Sequence, residues 1–170
     1  MCNAVAWTGH QVRFADQDAR LPVLNRHGQI VMLRWGVHYD ESSHPYPKGA
    51  CARLESIREG RWRWLHPRPV RNPVTSFAER SRQDRCTYWF GVPEGMALQG
   101  LFVPPGDLDQ EGRVFVVTVA LTEALGYGLA PLYPLPAGGM SEVHDRWPRL
   151  ISWAICILRL EIDNFSVQNA

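Results

Sequence analysis

Apolar residues along this chain fall in short runs separated by turn-forming residues. Residues 3–7 form one such run. Residues 30–37 are rich in β-formers and follow a His27-Gly28 turn. Residues 97–103 follow Pro93-Glu94-Gly95, and residues 113–121 carry Val-Phe-Val-Val-Thr-Val after Glu111-Gly112. Strand length and flanking turn residues predict four strands here. Helical signals are weaker. Residues 52–59 place Arg and Glu at helical spacing and stop before Gly60, and residues 122–125 allow a single turn ending at Gly126. Residues 38–50 and 130–143 read as ordered loops, and the apolar stretch 153–160 fits a strand or a helix.

The 13 prolines and 14 glycines break the chain into short pieces, which suits a β-rich α+β fold with long functional loops. A length of 170 residues fits one domain, and 45% apolar residues supply a core for it. No repeat or low-complexity tract is present.

Charge changes the picture only locally. The net charge of +1 does not announce a nucleic-acid binder. Yet Arg53, Arg58, Arg61, Arg63, Arg68 and Arg71 crowd into one stretch with Trp62 and Trp64 between them. That mixture suits phosphate contact and base stacking, and equally a solvated charged face. The cysteines Cys2, Cys51, Cys86 and Cys156 form no CxxC pair and have no histidine at zinc-ligand spacing. No metal or other cofactor is expected. The first residues lack the basic-then-apolar pattern of a signal peptide, and no apolar run is long enough to span a bilayer. The expectation is a soluble cytoplasmic protein with reduced thiols and no membrane partner.

Cys2 is the first candidate for chemistry. A small second residue permits removal of Met1, leaving an α-amine and a thiol on one residue. The amine condenses with an aldehyde to an imine, and the thiol then closes a five-membered thiazolidine. Ring-opened abasic deoxyribose supplies such an aldehyde. An α-amine with a pKa of about 7.7–8.0 is roughly a tenth neutral at pH 7, whereas a free thiol is only a few per cent ionised. A neighbouring base would therefore assist both. If Met1 is retained, ring closure is blocked. Taken alone, Cys2 also fits an ordinary small residue beside the start codon.

Several short motifs weigh against that plain reading. Met1-Cys2-Asn3-Ala4 resembles the Met-Cys-Gly-Arg opening of the SOS-response-associated peptidase family. Leu33-Arg34-Trp35-Gly36-Val37 resembles its Arg-Trp-Gly-Leu strand. Cys51-Ala52-Arg53-Leu54-Glu55-Ser56 is similar to its Asn-Ala-Arg-x-Glu-Thr segment. Ser76-Phe77-Ala78-Glu79-Arg80 resembles its Gly-Phe-Tyr-Glu-Trp strand. Leu98-Gln99-Gly100-Leu101-Phe102 resembles Ala-Gly-Leu-Trp, and Val117-Thr118 falls at its Thr-Thr strand. Val143-His144-Asp145-Arg146-Trp147-Pro148 is similar to His-Asp-Arg-Met-Pro. The motifs keep the family's order over residues 1–151, leaving 152–170 as a divergent C-terminal extension.

The resemblance implies a curved or barrel-like, mostly antiparallel sheet system with a few short helices. It implies a monomer that binds single-stranded or junction DNA and crosslinks to abasic sites, with self-processing peptidase activity. Cys2 would be the nucleophile, Glu79 the proton acceptor, and His144 the donor to the sugar oxygen. Arg53 and Arg146 would hold phosphate, since guanidinium donates paired hydrogen bonds and stays charged. Tyr46 is a further candidate for base stacking. Trp35, in an apolar strand, is expected to be structural despite its match.

Cys51 is the main departure. The family has an asparagine there, whose amide orients the reacting groups, and a thiol is a weak donor and acceptor. Weakened crosslinking or altered chemistry is expected, and a disulfide with Cys2 under oxidation if the two thiols approach. Ala4 replaces an arginine, Arg80 replaces a tryptophan, and His38-Tyr39 replaces a proline. The section between Trp7 and Leu21 is short, so the family's early helix looks trimmed. These changes fit a small bacterial or phage-type member. Two alternatives stay open: a relative that binds DNA without reacting, and a cysteine-type peptide hydrolase using Cys2 or Cys51 with His144 as base.

Overall fold

The computed structural model describes residues 2–41, 46–80, 85–106, 109–120, 153–155 and 157–159. Within them, strands β1 (Cys2–Trp7), β2 (His10–Arg13), β7 (Ser76–Arg80) and β8 (Thr87–Gly91) form a four-stranded antiparallel sheet in the order β2-β1-β7-β8. The β1–β2 hairpin turns on Thr8 and Gly9, both at positive φ (47° and 80°). Two consecutive positive φ values are the mark of the tight turn that matches strand twist. A hairpin thus occupies the section after Trp7.

The second sheet holds β3 (Arg20–Leu24), β4 (Ile30–Trp35), β5 (Cys51–Arg53), β6 (Arg68–Asn72), β9 (Met96–Val103) and β10 (Arg113–Ala120). Strand β10 pairs β4, β4 pairs β3, β3 pairs β6, β6 pairs β9, and β9 returns to β10. These five strands close a barrel. Its pairings are antiparallel except that of β10 with β4, and β10 also takes β5 in parallel. The four predicted strands are all present as β1, β4, β9 and β10. The apolar stretch near residue 153 is strand: β11 (Trp153–Ile155) pairs β10, and β12 (Ile157–Arg159) pairs β9. The segments expected as a helical turn at 122–125 and a loop at 130–143 lie outside the described residues.

The helix expected over residues 52–59 is corrected at its start. Cys51–Arg53 is strand, and α1 covers Leu54–Arg58. Pairing of β5 along β10 supplies backbone hydrogen bonds that local helical spacing does not. The helix ends as expected before Gly60, whose φ of +78° suits a residue closing a helix.

Leu21 and Val23 of β3, Trp35 of β4, Leu98 of β9, and Val114 and Val116 of β10 meet in one cluster, with Val70 of β6 against it. All five ring strands contribute, so this face is the barrel interior. Cys2, Val5, Phe77 and Phe90 of the four-stranded sheet join the same cluster. The opposite face of β10 is also buried. Phe115, Val117 and Val119 pack with Leu101, Val103, Val37, Tyr46, Ala52, Trp62 and Leu65. Burial on both faces explains why β10 reads as a continuous apolar run rather than an alternation.

Between β4 and β5 the chain leaves β10 and returns to the same edge. Gly36 and Gly49 let the two arms touch: Val37 and Gly49 form a bridge, and a Cβ at Gly36 would lie 2.2 Å from the Gly49 carbonyl oxygen. Trp35, fully buried, donates from Nε1 to the Ala50 carbonyl at 2.9 Å, so its role is structural. Arg113 locks the same loop. Its guanidinium donates to Glu41 at 2.8 and 3.1 Å, to the Gly36 carbonyl at 2.9 Å, and to Asp109.

Candidate functional site

Cys2, Glu79 and Cys51 come together from three strands. Cys2 and Glu79 are cross-strand partners in the β1–β7 pair. Their meeting depends on an irregularity. Val5 opposes Phe77 and Ala4 opposes Ala78, yet Cys2 opposes Glu79. Two steps on β1 match one step on β7, which makes Asn3 a β-bulge. In a regular strand, side chains alternate faces, so Cys2 would share the face of Ala4. The bulge re-aims it to the face of Val5, Phe77 and Glu79. Phe14 donates its backbone N–H to the Asn3 carbonyl at 2.9 Å, which ties the bulge to the chain after β2.

Cys51 approaches from the barrel. Its thiol donates to the Cys2 carbonyl oxygen at 3.8 Å, bridging β5 to β1. The Cys2 thiol donates to the Ala4 carbonyl at 3.6 Å. Among the described residues Cys2, Cys51 and Cys86 form no disulfide. Cys51, where the resembled family has an asparagine, therefore lies against the backbone of Cys2.

Burial governs the electrostatics. Cys2 is 1% exposed and Glu79 4%. Burial pushes the Cys2 thiol well above its usual range, with the neighbouring Cys51 and Glu79 adding to the rise. Burial, then the Glu79 charge, pushes Cys51 up to about 12. Burial also raises the Glu79 carboxyl. The cluster thus holds two neutral thiols at physiological pH and a carboxyl moved toward the range where it exchanges protons.

Arg53 is exposed at the end of β5, two residues from Cys51 and so on the same side of that strand. His144 and Arg146 lie outside the described residues. Tyr46 is a correction. It is 6% exposed and belongs to the cluster around Phe115, so its ring has no free face for a base. The Arg/Trp stretch is divided: Trp62 is buried edge-to-face on Phe115, with ring centres 4.9 Å apart, while Trp64 is 56% exposed.

Two residues of the site escaped the sequence reading. Asn3 is the bulge, and its Oδ1 is buried with no hydrogen-bond partner among the described residues. Tyr88 of β8 opposes Glu79, so Cys2, Glu79 and Tyr88 form one row across β1, β7 and β8. The run of β-forming residues Thr87-Tyr88-Trp89-Phe90 was the available signal for β8.

Comparison with protein-family models, with curated proteins and with solved structures finds no match to this chain. A functional reading therefore rests on its own motifs and geometry. Among the described residues, no helix is long and apolar enough to cross a membrane.

Proposed function

We propose that this protein binds single-stranded DNA and captures abasic sites covalently through Cys2, as the resemblance to the SOS-response-associated peptidase family implies. The observation that carries the reading is the bulge at Asn3, which turns Cys2 onto the face of Glu79.

The chemistry follows from the groups present. With Met1 removed, the Cys2 ammonium gives a proton to Glu79, and the neutral amine attacks the abasic aldehyde. Loss of water leaves an imine. The Cys2 sulfur then bonds to the imine carbon while its proton passes to the nitrogen, closing the thiazolidine. His144 would protonate the sugar ring oxygen to open it, and Arg53 and Arg146 would hold the flanking phosphates.

A second reading has an observation in its favour. Cys51 meets the Cys2 carbonyl with a thiol, which supplies weaker hydrogen bonds than an amide would. On that reading the protein binds DNA without reacting. A denaturing gel of protein mixed with single-stranded DNA carrying one abasic site separates the two. A slow band absent from Cys2→Ala supports capture. A native-gel shift without that band supports binding alone.

A further inference from the structure

We propose that Trp64 is a stacking platform for an unpaired base, set in a basic strip that guides single-stranded nucleic acid beside Arg53. The proposal rests on the DNA-binding reading above and names a contact that reading does not contain.

The first support is local geometry. Residues Arg63–Leu65 form a single 3₁₀ turn. Leu65 donates its N–H to the Trp62 carbonyl at 3.0 Å, and His66 donates to Arg63 at 3.1 Å. Residues three apart eclipse in such a turn. Trp62 and Leu65 are 4% and 6% exposed and anchor one side in the cluster around Phe115. Trp64 is thereby carried outward on a pinned backbone. His66, in left-handed conformation at φ 49°, ends the turn. An indole 56% exposed beside two buried anchors loses the free energy its own burial would bring. Its rigidity is what a stacking surface requires, since little ordering remains to be done on binding.

The second support is charge. Residues 53–71 hold six arginines and two glutamates, whereas the whole chain carries a net charge of only +1. The rest of the chain is therefore net negative, and the positive charge is concentrated in this segment. Arg53, Arg58, Arg61, Arg63 and Arg68 are exposed along it. Arg61 is paired with Glu59 at 2.7 Å, an exposed contact that competing phosphate readily replaces. Guanidinium beside a free aromatic face matches a polymer of phosphates and unstacked bases. Duplex DNA, whose bases are already stacked, offers the phosphates but not the stacking face.

The test measures affinity of the full-length protein for a short single-stranded oligonucleotide without an abasic site, and for the matching duplex. Trp64→Ala should weaken single-strand binding by about fivefold to a hundredfold and leave duplex binding nearly unchanged. Trp64→Phe should recover most of the loss. Arg63→Ala should instead lower the slope of log affinity against log salt by about 0.7. Wild-type affinity in a folded Trp64→Ala variant overturns the proposal, as does equal loss on single strand and duplex. Because this probe lacks an aldehyde, its binding is independent of the Cys2 chemistry, and Trp64-dependent binding to it combined with no crosslink to abasic-site DNA would sink the Cys2 chemistry alone. Crosslinking without Trp64 dependence would sink only the platform.

Discussion

The thiol of Cys51 lies 3.8 Å from the carbonyl oxygen of Cys2, so the residue that departs most from the resembled motif touches the residue proposed to react. An asparagine amide at that position would donate a stronger hydrogen bond than a thiol does. Cys51→Asn is therefore expected to speed crosslinking to abasic DNA by about tenfold, the value of one hydrogen bond improved by roughly 1.4 kcal/mol. Initial rates on denaturing gels check this, and an unchanged or slower rate would show that Cys51 serves the site as a thiol.

On the proposed chemistry, Glu79 should contribute in opposite senses to reaction and to stability. Glu79→Gln should slow crosslinking by about a hundredfold or more, the usual share of a positioned base. The base must be ionised to act, and burial raises its carboxyl. The wild-type rate should therefore climb with pH through a midpoint above the ordinary glutamate value of about 4.3. The sign for folding is the reverse. A group with a raised folded pKa contributes stability at low pH that is lost as pH rises through that pKa. Glu79→Gln should accordingly raise the melting temperature at pH 7, measured by calorimetry.

Arg113 and Glu41 should account for much of the acid sensitivity. Burial works against the Glu41 charge, but hydrogen bonds from Arg113 outweigh it and hold the carboxyl at about 2. An unfolded glutamate titrates near about 4.3, so this stabilisation is complete above that pH and disappears as pH falls through about 2. Glu41 is partly exposed, which limits the contribution to no more than about 3 kcal/mol. Urea unfolding at pH 7 and pH 3 should show Glu41→Gln losing stability at both, with the loss at pH 3 about half that at pH 7.

Gly36 is the backbone position least able to change. Its φ is +58°, and an added Cβ would lie 2.2 Å from a backbone oxygen of Gly49. Gly36→Ala should cost at least about 2 kcal/mol in urea unfolding, since neither arm of the loop yields without breaking the Val37–Gly49 bridge. Gly9→Ala is the control. It also sits at positive φ but meets nothing within 4 Å, so it should cost only about 1 kcal/mol.

How much of this was readable depended on whether the signal was local. Strand β10 was plain because its both-sided burial leaves an uninterrupted Val/Phe run. Strand β5 was hidden because Arg53 and Glu55 suggest a helix, and only pairing with β10 makes Cys51–Arg53 extended. The site was legible as a set of motif residues. Its geometry was not, because the bulge at Asn3 arises from register with β7 seventy-odd residues away. Tyr46 read as a loop aromatic, but its neighbours Val103 and Phe115 come from distant strands and bury it. For Trp62 and Trp64, the sequence marked both alike, and orientation was unreadable until the 3₁₀ turn assigned one inward and one outward.

The central claim is tested most directly by intact-mass measurement after incubation with single-stranded DNA bearing one abasic site, using protein whose first residue is verified to be Cys2. The account predicts a covalent species equal to protein plus oligonucleotide less one water, absent from Cys2→Ala. Two separate masses and no adduct from that verified protein would contradict it.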